Sequence, residues 1–457
     1  GTTLPYALAP QFQTRVVGNG VALTFEDVSG NIAGFVLRRD LPADIDPLDP
    51  GAAEKVAVRE IEALDSLGGA PVLSERAERF TRVFEQRTVS SSQELTFASE
   101  TDAFAARNRL VSSFANVDPA SVADLLAPPP GARSASGLVF NVMVRVIPGH
   151  LVIAGAATPK ALFAENQTVL GDLTNGTHLG DPGQTLSESC EHRVMPELKS
   201  DFLFVVDNSG SMQEEQQALS RAASSLYNAL RSSGMDFRLG VISTDGEVLR
   251  GSGFTRDLQE FQQAVKVGIN GNAMEMGLEY GLRAISTARA ATDPARQRRE
   301  GAGLVVVFFS DENAVNLRET ADYARSYRDE GAVCYALVGP KPSGCSRVGL
   351  GKANAGTAYI DVASSTGGTS GSICNPNLSE TIQEVLLGAL GSASRSPLER
   401  KPISGSLSVR TEVADPPHSR LNGFDYDPGT NTILFFGEVP ASESRFDTVY
   451  RYFVDIG

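Results

Sequence analysis

Five apolar residues, Phe202-Leu203-Phe204-Val205-Val206, run directly into Asp207-Asn208-Ser209-Gly210-Ser211, and no other stretch constrains the fold so tightly. The apolar run has the length of a strand buried on both faces. The polar run sets one carboxylate and two hydroxyls at alternate positions where the chain leaves that strand. All-oxygen ligands on a turning loop are what a hard divalent cation requires. After the loop, Leu219, Ala222, Ala223, Leu226 and Leu230 share one helical face, and glutamates in the first turn complement the helix dipole.

From residue 200 onward strand and helix patterns alternate, which predicts a parallel sheet with helices on both faces. Strands are expected at Asp201–Asp207, Phe237–Ser243, Leu304–Phe309, Ala332–Val338 and Ala358–Val362, with a short antiparallel edge strand over Gly246–Gly251. Helices are expected from Met212, over Leu258–Val267, from Met274 to Ala291, over Leu317–Arg328 and over Leu378–Leu390. Gly391–Pro402 reads as a linker. Beyond it Leu407–Val413, Thr432–Phe436 and Thr448–Val454 form a small β-rich module that needs a pairing partner to be stable. In the N-terminal region, Val21–Val28 and Gly34–Leu41 read as strands, Ala52–Leu67 and Glu75–Gln86 as helices, and Leu138–Ile147 with Leu151–Ala156 as a hairpin. The domains expected are a mixed α+β region at 1–198, an α/β domain at 199–392 and a β-rich module at 400–457.

Composition removes several function classes. The chain has 457 residues and a net charge of −15, which argues against nucleic acid as a partner. No apolar run reaches the roughly 18–20 residues that span a bilayer. The four cysteines and four histidines show none of the local spacings of a zinc site. No nucleophile, base and orienting group recur together, so no enzyme activity is expected.

The segments Asp207-x-Ser209-x-Ser211, Gly271-Asn272 before a helix, and Phe309-Ser310-Asp311 after the fourth strand together resemble a von Willebrand factor type A domain over residues ~199–392. The resemblance implies a Rossmann-like, doubly wound, mostly parallel six-stranded sheet. It also implies a metal-ion-dependent adhesion site, abbreviated MIDAS, at the C-terminal edge of that sheet. Asp207, Ser209 and Ser211 would bind Mg²⁺ (or Mn²⁺ or Ca²⁺), and Asp311 would bind it directly or through water. The family usually places a threonine in the middle loop where this chain has Ala273. Glu275, two positions on, is the expected substitute; the alternative is that it only complements a helix N-terminus.

The same resemblance implies recognition of a partner's Asp or Glu, which completes the metal's coordination shell. Asp-Asn-Ser-Gly-Ser, Ser-Asp-Glu after the fourth strand and Ser-Ile-Cys before the last helix are similar to bacterial cell-surface A-type proteins, including adhesion lipoproteins of gliding bacteria. The function expected is therefore an extracellular or cell-surface, cation-dependent adhesion or binding protein. Its leader would have been removed before Gly1; a lipid anchor upstream is compatible with this reading and is not required by it. The competing reading is a non-catalytic A-type subunit that docks an enzyme or an AAA+ partner.

On that fold Cys190 and Cys334 fall at the edge away from the metal, and Cys345 and Cys374 near it. The expectation is two disulfides, Cys190–Cys334 and Cys345–Cys374, against two other connectivities or four reduced thiols. The module at 400–457 is expected to pair with part of 1–198, making the A-type domain an insert as in integrin β chains. Three domains in tandem is the alternative.

Overall fold

The structure, a computed structural model, describes residues 12–17, 22–49, 72–83, 86–102, 134–147, 149–174, 184–195, 199–232, 235–271, 275–347, 351–375, 396–428, 431–436 and 444–455, with isolated residues between them. In the N-terminal region β1 (Phe12–Val17), β2 (Ala22–Asp27), β3 (Ala33–Asp40), β4 (Val72–Val83), β5 (Gln86–Asp102), β6 (Ser134–Ile147) and β7 (His150–Pro159) form antiparallel pairs. The expected hairpin is present as β6 and β7, in register at Ile147 and His150. Helix α1 (Phe163–Leu173) buries Leu170 and Leu173 among Phe25, Val36, Met143, Val152 and Ala154 of this sheet.

Glu75–Gln86 is not helical. It belongs to β4 and the start of β5, which pair from Val72–Thr96 to Val83–Gln86. Phe80, Val83 and Phe84 mimic a helical stripe, but Phe, Thr and Val also favour strands, and a long cross-strand partner decides the matter. Within Ala52–Leu67 the described residues Ala52, Lys55, Val56 and Arg59 are helical, and the rest lie outside the described residues.

After β8 (Gln184–Val194) comes the α/β part: β9 (Lys199–Val206), α2 (Gln213–Ser232), β10 (Asp236–Ser243), α3 (Leu258–Ala264), α4 (Gly277–Ala290), β11 (Gly303–Phe309), α5 (Thr320–Asp329), β12 (Ala332–Val338), the short hairpin β13 (Cys345–Arg347) and β14 (Gly351–Ala353), α6 (Thr357–Ser365) and β15 (Ser370–Ser372). The five strands β15, β12, β11, β9 and β10 are parallel and neighbours in that order. β15 also pairs with β4 antiparallel at Ser370 and Glu78, which makes one twelve-stranded sheet.

Strand alternation splits the core. Phe202, Phe204, Val206, Val305, Val307 and Phe309 face α2 and α3, while Leu203, Val205, Val306, Phe308 and Cys334 face α4, α5 and α6. Burial on both faces explains why these strands read as unbroken apolar runs.

The sheet has the expected five parallel strands, one of them at a different place in the chain, and lacks the antiparallel edge strand that would make six. Ala358–Val362 lies in helix α6, where Ala358, Tyr359, Ile360, Val362 and Ala363 are buried and Tyr359 packs on Phe308; the strand at this point is Ser370–Ser372. A short, mostly apolar run interrupted by Asp361 fits either period, and here the helical one wins. At Gly246–Gly251 an isolated bridge from Ser243 to Gly246 and a bond from Arg250 N–H to the Val241 carbonyl replace the expected edge strand.

The last part comprises β16 (Ser396–Pro397), β17 (Ser408–Thr411), β18 (Gly423–Asp427), β19 (Thr432–Phe436) and β20 (Arg445–Asp455). β20 pairs antiparallel with β8 from Arg445–Val194 to Asp455–Gln184, so the end of the chain is held by residues that precede β9. Phe424, Ile433, Phe435, Phe446 and Tyr450 join the core on the α2 face. Ser396–Pro402 is part of this packing, with Leu398 and Pro402 buried, and is not a free linker. Of the expected helix Leu378–Leu390 only Ile382, helical and buried, is among the described residues.

Cys345 and Cys374 form a disulfide across 29 residues. Cys190 and Cys334 do not: Cys190 is an exposed thiol on β8 and Cys334 a buried one on β12. Cys334 points toward α4–α6, whereas the sheet carrying β8 packs through Tyr450 and Phe446 against the opposite face. The two thiols are separated by the parallel sheet itself.

Candidate metal centre at the C-terminal edge of the parallel sheet

Asp207 leaves β9 fully buried, with its N–H donating to the Phe309 carbonyl (2.9 Å). One carboxylate oxygen accepts the Ser209 N–H at 2.7 Å and the other accepts the Ser310 hydroxyl at 2.5 Å. The Ser209 and Ser211 hydroxyls lie 3.2 Å apart, at the solvent side of the loop. Asp311 follows β11, nearly buried, with Oδ1 lacking any hydrogen-bond partner.

The middle loop is clamped onto the first. Gln216, buried on α2, donates to the carbonyls of both Asp207 and Gly268 (2.8 Å each) and accepts the Gly268 N–H. Gly271 N–H bonds the Asn208 carbonyl at 2.9 Å, and a Cβ at Gly271 would lie 2.3 Å from Asn208 Oδ1. Only glycine allows that approach. Asn272, Ala273 and Met274 lie outside the described residues, so the position of the family's threonine is among them.

Glu275 emerges from this loop 0% exposed, and neither carboxylate oxygen has a hydrogen-bond partner. Its carbonyl accepts the Val315 N–H from the segment after Asp311, which ties the second and third loops together (2.7 Å). Burial pushes the Glu275 carboxyl up to about 7 against the lowering effect of the nearby Thr244 hydroxyl, and the negative charges of Asp207, Glu312 and Asp245 add to the rise. Asp311 is raised by burial and by Asp207, against the lowering effect of the Ser211 and Ser209 hydroxyls. Glu312 is raised by burial, Asp207 and Asp311. Among the described residues no lysine, arginine or histidine forms an ion pair with Asp207, Glu275, Asp311 or Glu312.

All five residues expected from the sequence thus sit on loops at one edge of the sheet. Asp207, Ser209, Ser211 and Asp311 act electrostatically on one another, and Glu275 joins them through Asp207. Four contributors were not anticipated. Ser310 and Glu312 flank Asp311 in the Ser-Asp-Glu run. Gln216 gives a mid-helix polar signal at best. Tyr359, buried on α6, sets its ring on Phe308, and its hydroxyl would lie 2.5 Å from a Cβ on Gly277. Its hydroxyl is held well above its usual range by burial and by Asp207 and Glu275. Reading residues 358–362 as a strand hid it.

The donor set is oxygen throughout, gathers several carboxylates without a basic counterion, and leaves buried oxygens unpartnered. Isolated buried carboxylates are costly unless a cation or a hydrogen bond compensates them. A hard divalent ion fits these residues.

Comparison with known proteins follows the same geography. A family model described as von Willebrand factor type A domain matches residues 202–313. Solved structures resemble the chain at low identity: proximal thread matrix protein 1 from the mussel byssus (11% identity, 46% of this chain and 51% of that one, TM-score 0.33); the pilus adhesin SpaC from Lactobacillus rhamnosus GG (11%, 60% and 43%, 0.31); and a von Willebrand factor type A protein from Catenulispora acidiphila (13%, 61% and 68%, 0.31). The chain thus spans about half the length of the mussel protein and less than half of SpaC. No curated protein sequence matched.

Proposed function

We propose that this von Willebrand factor type A domain protein is a non-catalytic, cation-dependent binding protein of the extracellular space or cell surface that recognises an acidic group on a partner protein. Asp207, Ser209, Ser211, Glu275 and Asp311 would hold Mg²⁺ or Mn²⁺. When bound, the cation supplies an open coordination position for a carboxylate. The observation that carries this reading is Glu275: a fully buried carboxylate with two unpartnered oxygens, beside three more acids and no base.

The rest of the edge suits a protein partner. Ser211 and Gly210 are solvent-exposed, and exposed apolar side chains stand on the flanking loops at Ile269, Val315 and Leu317. An acid flanked by apolar residues would meet both. The Cys345–Cys374 disulfide supports an oxidising compartment.

Calorimetry with Mg²⁺ and Mn²⁺ on the wild type, Asp207→Ala and Glu275→Gln tests the site, with binding expected in the wild type, lost in Asp207→Ala and weakened at least tenfold in Glu275→Gln. Adhesion of the protein to candidate acidic surfaces in Mg²⁺ against EDTA tests the function. Adhesion that ignores EDTA would leave the fold and remove the mechanism.

A further inference from the structure

A second cluster lies away from the Asp207 loops, where α1 meets the last part of the chain. Asp172 ends α1, His418 and Arg420 precede β18, and Asp425 lies on β18. His418 Nδ1 is 3.6 Å from Asp172 Oδ2, and Nε2 is 3.4 Å from Asp425 Oδ1. One ligand atom from each of the three residues lies within 4.8 Å of the other two. Both carboxylate side chains are at least nine-tenths buried.

We propose that Asp172, His418 and Asp425 bind a zinc-class divalent ion that staples α1 to the C-terminal β-sheet. Charge-assisted hydrogen bonds close to about 2.7–2.9 Å, and these gaps are too long for that. A single ion takes one of the two ring nitrogens, and with one ligand atom from each residue the three lie within 4.8 Å of one another, close enough to converge on bonds of about 2.0–2.2 Å. A second sign points the same way: His418 Nε2 makes no close hydrogen bond, its nearest acceptor being Asp425 Oδ1 at 3.4 Å, and the buried Ser404 hydroxyl is turned to the Asp172 carboxylate.

The surroundings hold the ligands still. The imidazole stacks flat on Phe424 (4.7 Å, 2°). Arg420 bonds the other oxygen of Asp425 through Nε, and its own N–H donates to Thr168 Oγ1 of α1 at 3.1 Å. The Tyr426 N–H bonds Asp425 Oδ1. Both ring nitrogens of His418 face carboxylates, so the nitrogen that does not take the ion carries the proton and donates it to a carboxylate oxygen, the arrangement that fixes the tautomer of a metal-bound imidazole. An imidazole in the donor set selects zinc over Mg²⁺ or Ca²⁺, which separates this site from the all-oxygen one. The ligands come from distant parts of the chain, which is why local spacing gives no sign of them.

The competing occupant is a proton: an imidazolium lying between two carboxylates, with no metal. The test uses full-length protein carrying Asp207→Ala to silence the first site, stripped with EDTA and dialysed at neutral pH against Zn²⁺ or Co²⁺. About one bound ion per chain, a tetrahedral Co²⁺ absorption spectrum and a Tm raised by Zn²⁺ are expected. Adding His418→Gln, or separately Asp172→Asn, should abolish all three. Asp172→Asn keeps the side chain's shape and decides the matter if His418→Gln does not fold. Absence of uptake in the Asp207→Ala protein, which would identify a proton-bridged cluster, overturns the proposal. Uptake that survives both substitutions overturns it too.

Discussion

Asp201 and Asp207 lie at opposite ends of the same strand, both 0% exposed, and their surroundings are opposites. Asp201 accepts two bonds from the Arg238 guanidinium (3.1 and 2.9 Å), one from Arg299 Nε (2.8 Å) and one from the Arg299 N–H (2.9 Å). Arg299 goes on to the Ser200 and Asp236 carbonyls. At the other end Asp207 accepts from a hydroxyl and an amide, and its charged neighbours are acids. One end of the strand carries its own cations; the other is arranged to receive one from outside. A buried carboxylate is therefore uninformative until its partners are counted.

The comparison breaks most sharply under alanine substitution at each end. Asp201→Ala takes from two largely buried guanidinium groups the carboxylate they share, leaving Arg299 with Asp236 and Arg238 with carbonyl acceptors, and should cost about 3–5 kcal/mol in chemical denaturation. Asp207→Ala in cation-free protein removes one of several mutually repelling acids and should change stability by less than about 1 kcal/mol. Equal losses at the two ends would mean that Asp207 is structural.

A pH series sharpens the contrast. The Glu275 carboxyl titrates near 7 in the folded chain and near 4.5 when unfolded. The folded state thus holds a proton that the unfolded state releases. Its contribution to stability is full below about pH 4.5 and is lost as pH rises through about 7, a span of about 2–4 kcal/mol in cation-free protein. Glu275→Gln should flatten that part of the profile. An unchanged profile in the variant would show that the carboxyl titrates normally.

Adding Mg²⁺ should reverse the loss at neutral pH. At a concentration 100-fold above Kd the wild type gains about 2.7 kcal/mol, read as a rise in Tm, and Asp207→Ala gains none. Asp201 should be indifferent to the ion, so a conservative Arg238→Lys variant, though less stable, should keep the full Mg²⁺ response. Loss of that response would couple the two ends and undo the distinction.

How much of this was legible beforehand follows the range of the interactions. The first and third loops announce themselves because strand, loop and helix are contiguous, and Glu275 stands where a helix begins. Ser310 bonding Asp207 and Tyr359 beneath the site depend on neighbours brought in by the sheet. The same holds for the Asp201 cluster, whose arginines come from β10 and the segment before β11, and for His418 between Asp172 and Asp425. The cysteines divide the same way. Cys345 and Cys374 flank segments that meet at one sheet edge, whereas strand order alone could not show that Cys190 and Cys334 face different sides. Short, mostly apolar runs such as 358–362, and β4 with its helix-like stripe, fit two periods, and only packing chose between them.

Two glycines give the smallest and most local form of the comparison. Gly271, at the Asp207 end, has no room for a methyl group: its Cβ would overlap the Asn208 amide, which also accepts from Thr244. Gly303, at the Asp201 end, would set a Cβ 3.0 Å from the Ser200 hydroxyl, on an exposed residue. Gly303→Ala should fall within about 0.5 kcal/mol of wild type and leave Mg²⁺ affinity untouched. Gly271→Ala should cost only about 1 kcal/mol of stability, yet weaken Mg²⁺ binding, because the loop it displaces leads into Glu275. Calorimetry on the two variants side by side separates the effects. Unaltered Mg²⁺ affinity in Gly271→Ala would mean that the middle loop contributes no ligand, and that the three oxygens following β9 and Asp311 suffice.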